Sequence, residues 1–250
     1  MKTRSKKDLL QTFITIICDN YTTREDLEVS WGFSCLINYG GKNILFDTGS
    51  DSIVLSNNMA RLGIDPASID MLMISHQHWD HTGGIYYILN ARRGVQVCVP
   101  KSFSVNFRKD MKRYGVELIE IDKAQEIFPG FYSTGDLEGP VREQAALLQT
   151  PSGTIVITGC AHPGIVKIVE TAKKILPDDE LALVMGGFHL FDDEDEDVFK
   201  IIARFKKMDV RYAAASHCSG ENARKLFARE YGNHFIALGV GSAITLESIK

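Results

Sequence analysis

Short apolar runs, punctuated by glycine, proline and small polar residues, set the reading of this chain. Residues 10–18 (LQTFITIIC) are β-branched and aromatic and predict a buried strand, followed by the polar loop Asp19-Asn20-Tyr21-Thr22-Thr23. Residues 33–37 and 43–46 flank Gly40-Gly41 and predict a hairpin, because two glycines tolerate the positive φ of a tight turn. A helix is expected over about 51–62, ended by Gly63. Residues 71–74 form a short buried strand with a polar loop at its end, and Gly83-Gly84 turns the chain into a helix over 85–91. Residues 95–99 read as a strand stopped by Pro100, then a basic amphipathic helix runs to about Tyr114. Strands are expected over 116–121 and 126–133, and a second hairpin joins 145–149 to 154–158. Helices over 165–175, 198–208 and 221–231 then alternate with strands over 181–185 and 210–215, and two short strands finish the chain.

Hairpins dominate the first part and strand–helix alternation most of the rest, with no linker or repeat between them. The expected class is α/β (α+β by some schemes): two packed mixed sheets flanked by helices, a four-layer αβ/βα sandwich. Residues 1–250 are expected to form one domain, since the length buries one large core without requiring a second. The composition, 44% apolar and 24% charged, is that of an ordinary globular chain. The net charge of −4 argues against a nucleic-acid partner, and the basic residues within 2–7 read as a solvated arm. No apolar run has the length of a membrane span, and five cysteines without paired spacing point to reduced thiols in the cytoplasm. The acidic run 192–197 reads as a solvated helix start.

Chemistry is concentrated at the ends of the expected strands. Ser75-His76-Gln77-His78-Trp79-Asp80-His81-Thr82-Gly83-Gly84 packs three histidines and an aspartate into six consecutive positions. Imidazole and carboxylate are the ligand types that zinc, iron and manganese accept, so the stretch reads as a metal site. Cys160 with His162, His189, and His217 with Cys218 follow three later strands, and of the seven histidines only His234 lies elsewhere. Strand ends on one rim converge on a cleft, so these residues are expected to meet there. Asn20 and Lys101, each just after a strand, are further candidates for contacting substrate.

Leu45-Phe46-Asp47-Thr48-Gly49 together with the His76–His81 stretch resembles the metallo-β-lactamase fold superfamily over nearly the whole chain. Within it, Thr158-Gly159-Cys160-Ala161-His162-Pro163-Gly164, Gly186-Gly187-Phe188-His189 and His217-Cys218-Ser219-Gly220 are similar to the branch of 7,8-dihydropterin-6-methyl-4-(β-D-ribofuranosyl)aminobenzene-5'-phosphate synthases. The resemblance implies two divalent metals, zinc first, with manganese or iron as alternatives. His76, His78 and His162 would hold one, and Asp80, His81 and His217 the other; the assignments of His162 and His217 are interchangeable. Asp47 would orient a ligand histidine from behind. The superfamily usually bridges its metals with an aspartate, and here Cys160 stands at that strand end, where a softer thiolate favours zinc. The segment 136–144 carries no histidine where many relatives place a ligand, and Ser30-Trp31 replaces the Glu-His common before Gly32 in this branch.

Asp80 can serve as ligand and as proton acceptor, and His189 as an acid or a substrate-phosphate contact. The resulting expectation is a metal-dependent hydrolase or transferase acting on a phosphorylated or diphosphate small molecule; by resemblance it is a synthase condensing a dihydropterin with an aminobenzene ribotide. A metal-hydroxide phosphodiesterase or ester hydrolase is the alternative, and a non-catalytic metal-stabilised sensor a third reading. Nothing in the sequence specifies an oligomeric state.

Overall fold

The computed structural model describes residues 12–250, so the basic segment 2–7 and the first two residues of the expected strand 10–18 lie outside the described residues. One sheet contains β1 (Phe13–Cys18), β2 (Ser34–Tyr39), β3 (Lys42–Phe46), β4 (Met71–Met73), β5 (Gln96–Pro100), β6 (Glu117–Ile121) and, from the chain's end, β13 (Ala243–Thr245), in the order β13-β1-β2-β3-β4-β5-β6. The other contains β7 (Lys123–Phe128), β8 (Phe131–Gly135), β9 (Ala146–Thr150), β10 (Gly153–Thr158), β11 (Leu181–Gly187) and β12 (Tyr212–Ser216), in the order β12-β11-β10-β9-β8-β7. Helices α1 (Ser52–Arg61), α2 (Trp79–Thr82), α3 (Ile85–Ala91) and α4 (Val105–Arg113) belong to the first half, and α5 (Ile165–Ile175), α6 (Asp195–Lys207) and α7 (Glu221–Tyr231) to the second. Both sheets are mixed and flanked by helices, as the strand–helix pattern predicts.

Alternation along each strand builds the layers. Ile37 and Tyr39 of β2, Ile44 and Phe46 of β3, and Met71 and Met73 of β4 face inward against Leu148, Ile155, Ile157, Leu183 and Met185 of the second sheet. The intervening residues Leu36, Leu45 and Leu72 face outward onto Leu55 and Met59 of α1 and Ile85 and Ile88 of α3. Leu147, Val156 and Val184 likewise face Ile168 of α5, Phe205 of α6 and Phe227 of α7. Both faces of each sheet are covered, which is why the central strands read as continuous apolar runs.

Several local expectations differ from the structure in detail. The strand expected over 126–133 is a hairpin: Pro129 has no N–H to give, and Gly130 turns at φ 71 to separate β7 from β8. Of the two closing strands expected, only β13 forms within the described residues; the stretch near Phe235 makes one isolated bridge, to Ala213. The histidine-rich segment contains a helical turn, α2, closed by the Thr82 hydroxyl donating to the His78 carbonyl at 2.9 Å. Among the described residues no helix is long and apolar enough to cross a membrane.

Tyr39 ties the sheets together at the rim where β2 ends: its hydroxyl lies 2.8 Å from the Gly130 carbonyl and 2.6 Å from the Gln149 carbonyl of the facing sheet. Replacing it by phenylalanine leaves these carbonyls without that donor and is expected to cost about 1–2 kcal/mol. Urea unfolding of Tyr39→Phe would read this as a lower midpoint at unchanged slope.

Candidate metal centre

The candidate residues leave the sheets at one rim. Asp47 follows β3, the His76–His81 stretch follows β4, Cys160 and His162 follow β10, His189 follows β11 and His217 follows β12. Parallel pairing of β3 with β4, of β10 with β11 and of β11 with β12 makes these ends coincide. The backbone there is tightly turned: of five described non-glycine residues at positive φ, Asp47, Ala161, His189 and His217 belong to this rim.

The side chains converge as three overlapping donor groups, each with one ligand atom per residue and all such atoms within 4.8 Å. They are Asp80, His81, Cys160 and His217; His76, Cys160 and His162; and Cys160, His189 and Cys218. Cys160 is common to all three: its Sγ lies 3.2 Å from His81 Nε2 and 3.4 Å from His217 Nε2. The Asp80 carboxylate lies 3.4 Å from His217 Nε2 and 3.6 Å from His81 Nε2. His78 is half-buried, its ring centroid 4.6 Å from that of His76 and 4.8 Å from that of His162. Thus His76, His78, Asp80, His81, Cys160, His162, His189 and His217 are all brought together.

Hydrogen bonds from behind decide which ring nitrogen faces the centre. His81 Nδ1 lies 2.7 Å from Asp47 Oδ2, an arrangement that leaves Nε2 bare. Asp47 also accepts from the Ser75 N–H at 2.7 Å and the Ser75 hydroxyl at 2.7 Å. With its proton on Asp47, the Ser75 oxygen can only accept from His76 Nδ1, 2.9 Å away. His76 Nε2 is consequently a buried acceptor, and it has no hydrogen-bond partner. Glu143 orients His162, whose Nδ1 is 2.9 Å from Oε2, and Asn20 Oδ1 takes His217 Nδ1 at 3.1 Å. In all four histidines the nitrogen left over is Nε2.

The electrostatics follow from burial and these pairings. Burial, with a neighbouring imidazole adding to it, holds His76 and His81 down to about 3, and it also lowers His78. Burial pushes Asp47 up to about 8, against the opposing pull of His76 and the Ser75 bonds. Burial acts upward on Asp80 and Glu143 too, but the imidazoles beside them win and hold both well below the carboxylate range. Burial raises the Cys160 thiol far above its usual value. It opposes ionisation of Cys218 as well, yet the hydrogen bonds of Cys218 to Cys160 and His189 bring that thiol well below the usual range. The bond to Cys218 raises His189. Burial acts downward on His217, but its bond to Asp80 and the charges of Cys218 and Asp19 raise it. His76 and His81 are thus held neutral and Asp80 and Glu143 anionic, the protonation states a divalent cation requires of them, whereas Asp47, His189 and His217 lean toward their protonated forms.

Glu143 escapes sequence reasoning. It is wholly buried, and it accepts from the N–H groups of Cys160, Ala161 and His162 at 2.9 Å each as well as from the His162 ring. The segment 136–144 lacks a histidine, yet through Glu143 it still reaches the centre, because β9 runs antiparallel to β10 and begins where β10 ends. A lone glutamate before an apolar run carries no local signal of this. Cys218, within the donor cluster, was legible only as the neighbour of His217. Asn20 spends its amide on His217 and on the Gly32 N–H, which makes it a support for that histidine. Lys101 instead pairs with Asp122 on the exposed surface.

Two mixed sheets in an αβ/βα sandwich, with a His/Asp/Cys donor cluster on one rim, define a metal-centred class of protein. The sequence profile of the Metallo-beta-lactamase superfamily matches residues 32–174, and the chain belongs to that superfamily. It is 29% identical over 247 residues to the 7,8-dihydropterin-6-methyl-4-(beta-D-ribofuranosyl)-aminobenzene-5'-phosphate synthase of Methanocaldococcus jannaschii, covering 81% of this chain and 84% of the relative. The structure of Tm1679, a metal-dependent hydrolase of the beta-lactamase superfamily, superposes with a TM-score of 0.80 at 26% identity, over 94% of this chain and 98% of that one. A diphosphatase from the PhnP family shares the fold, with a TM-score of 0.61 at 14% identity over 94% of this chain and 97% of that one.

Removing the carboxylate charge behind His162 is expected to loosen the centre: Glu143→Gln should weaken zinc affinity by roughly 10–100-fold in a competition titration with a chromophoric chelator. Acid should destabilise the metal-free protein. Folded His76 and His81 stay neutral down to about 3, whereas their unfolded forms protonate near 6.5, so stability is lost as pH falls through that window. Asp47, raised to about 8, works the other way by taking up a proton first in the folded state, as do the raised Asp19, His189 and His217. Lowered His78, Asp80 and Glu143 add to the loss in acid, since each is protonated first in the unfolded chain. Urea midpoints measured in the presence of chelator should therefore fall from pH 7 to pH 4.

Proposed function

We propose that this protein is a metal-dependent enzyme acting on a phosphorylated or diphosphate-bearing small molecule. The observation that carries the metal dependence is His76 Nε2, a buried acceptor without a partner among converging imidazoles, carboxylate and thiol, while similarity to a phosphate-ester synthase supports the substrate class. An unpaired buried acceptor is costly unless something electrophilic binds it. His76, His78 and His162 would hold one divalent ion, and Asp80, His81 and His217 a second. Cys160, common to both sides, would stand between them. A thiolate in that position favours zinc. Such ions would supply Lewis-acid polarisation of phosphoryl oxygens and make bound water more acidic.

The chain's own groups divide the remaining work. Asp80, held anionic beside His81 and His217, can receive a proton at its carboxylate oxygen. His189 is exposed, and its ring lies 4.6 Å from that of His162. Its raised pKa suits it to contact a phosphate or to donate a proton to a leaving group. Asp47, Glu143 and Asn20 act by positioning ligand histidines.

The similarity to the methanogen synthase supports a transferase that joins a dihydropterin diphosphate to an aminobenzene ribotide, the new bond forming as the bond to pyrophosphate breaks and pyrophosphate leaves. The likeness to Tm1679 supports the second reading, hydrolysis of a phosphodiester or other ester. The unpaired cysteines, all five buried, support a reducing, cytoplasmic setting.

Zinc-loaded protein is expected to turn over a diphosphate ester or a simple phosphodiester, with activity abolished by chelator and reduced roughly 100-fold or more by Asp80→Asn. Absence of turnover on both substrate types, unchanged by metal, would sink the reading. Because burial keeps the Cys160 thiol protonated at neutral pH, its coordination must release a proton. Calorimetry of zinc binding in buffers of differing ionisation enthalpy should find more protons released by the wild type than by Cys160→Ser.

A further inference from the structure

Two large aromatic side chains stand at the mouth of the donor cluster without belonging to it. Trp31 is 47% exposed and Phe191 49% exposed. Their rings meet edge-on, with centroids 6.5 Å apart and planes at 86°. The Trp31 ring lies 5.3 Å from that of His217, and the Phe191 ring 5.6 Å from that of His189. His189 in turn neighbours His162 at 4.6 Å. The two rings therefore make a right-angled corner linking the His217 side of the centre to the His162 side.

The backbone that carries the corner is closely held. A Cβ on Gly32 would lie 2.5 Å from the Asp80 carbonyl oxygen, so glycine alone lets the loop carrying Trp31 lie against the ligand-bearing backbone. The next residue fastens it there, with the Phe33 N–H donating to that same Asp80 carbonyl at 3.3 Å. A Cβ on Gly220 would lie 2.6 Å from the Phe191 Cα, and the Leu190 N–H donates to the Cys218 carbonyl at 3.2 Å. Both aromatic residues are thus fixed to the segments that carry Asp80 and His217. Exposed aromatic surface so constrained is organised in advance to receive an apolar, flat partner, and the ordering cost of binding is correspondingly small.

We infer that Trp31 and Phe191 form a selectivity corner for a planar aromatic or heteroaromatic ring in the substrate, whose phosphate-bearing arm reaches the donor cluster. The inference rests on the phosphate reading of that cluster and adds the side chains that would receive the ring of such a substrate. A flat π system can lie on one aromatic face while meeting the other edge-on; a puckered saturated ring can do neither well. His189, between Phe191 and His162, lies where the charged arm would pass from ring to centre.

The test uses the zinc-loaded full chain in a Trp79→Phe background, which leaves Trp31 as the single tryptophan of the original two. Phenyl phosphate and cyclohexyl phosphate, alike in charge and similar in size, are titrated by tryptophan fluorescence and calorimetry, with inorganic phosphate as reference. Phenyl phosphate should bind roughly tenfold more tightly and alter Trp31 fluorescence. The preference should largely vanish in Trp31→Ala and Phe191→Ala and be retained in Trp31→Phe. Unchanged thermal midpoints, expected for half-exposed side chains, separate loss of ring recognition from loss of fold. Equal affinity for the two esters, or a preference surviving both alanine variants, would overturn the corner alone. Failure of inorganic phosphate itself to bind would overturn the reading of the cluster, and the corner with it.

Discussion

Two carboxylates buried behind the imidazoles are the constraint on which the centre depends. Asp47 and Glu143 have no solvent access, and each is satisfied by several N–H or O–H donors. A buried carboxylate without such partners would be strongly disfavoured, so the surrounding backbone must hold its donors in place. The ring protons of His81 and His162 complete these donor sets, and the price is that their Nε2 atoms point inward. The same preference passes through Ser75 to His76. The folded chain itself therefore turns these Nε2 atoms toward one centre.

The fold supplies that constraint by making strand ends coincide. Parallel neighbours in each sheet bring their chemistry to one rim, and apolar side chains covering both faces keep the strands from shifting. A one-residue slip would move every core side chain to the wrong face, so the register that packs the interior also positions the candidate donors. Tyr39 fastens the sheets near the opposite rim, where β2 ends and β1 and β3 begin. Stability and chemistry are thus served largely by different ends of the same strands.

Two features of the donor cluster fit one another. The segment 136–144 brings in a buried carboxylate, and Glu143 binds the turn that presents Cys160 and His162. That turn carries a thiol common to both halves of the donor cluster. Around them, Trp31 and Phe191 give one side of the cleft an aromatic character that the ligand residues alone would not.

By itself the sequence determined the layer architecture and the metal character of the site. Alternating and continuous apolar runs report burial locally, and His76 to His81 form a nearly contiguous ligand motif whose spacing needs no tertiary context. The resemblance carried by residues 45–49 and 75–84 extended this to His162, His217 and the orienting role of Asp47. Tertiary structure alone decided that Glu143 is buried behind His162, that Asn20 supports His217, and that Cys160 touches both halves of the cluster. It also brought Trp31 beside Phe191, 160 positions later in the chain by their numbering. The physical reason is the same each time. A single glutamate, asparagine or tryptophan has no period and no motif, and its role comes from neighbours that only strand pairing and sheet packing deliver.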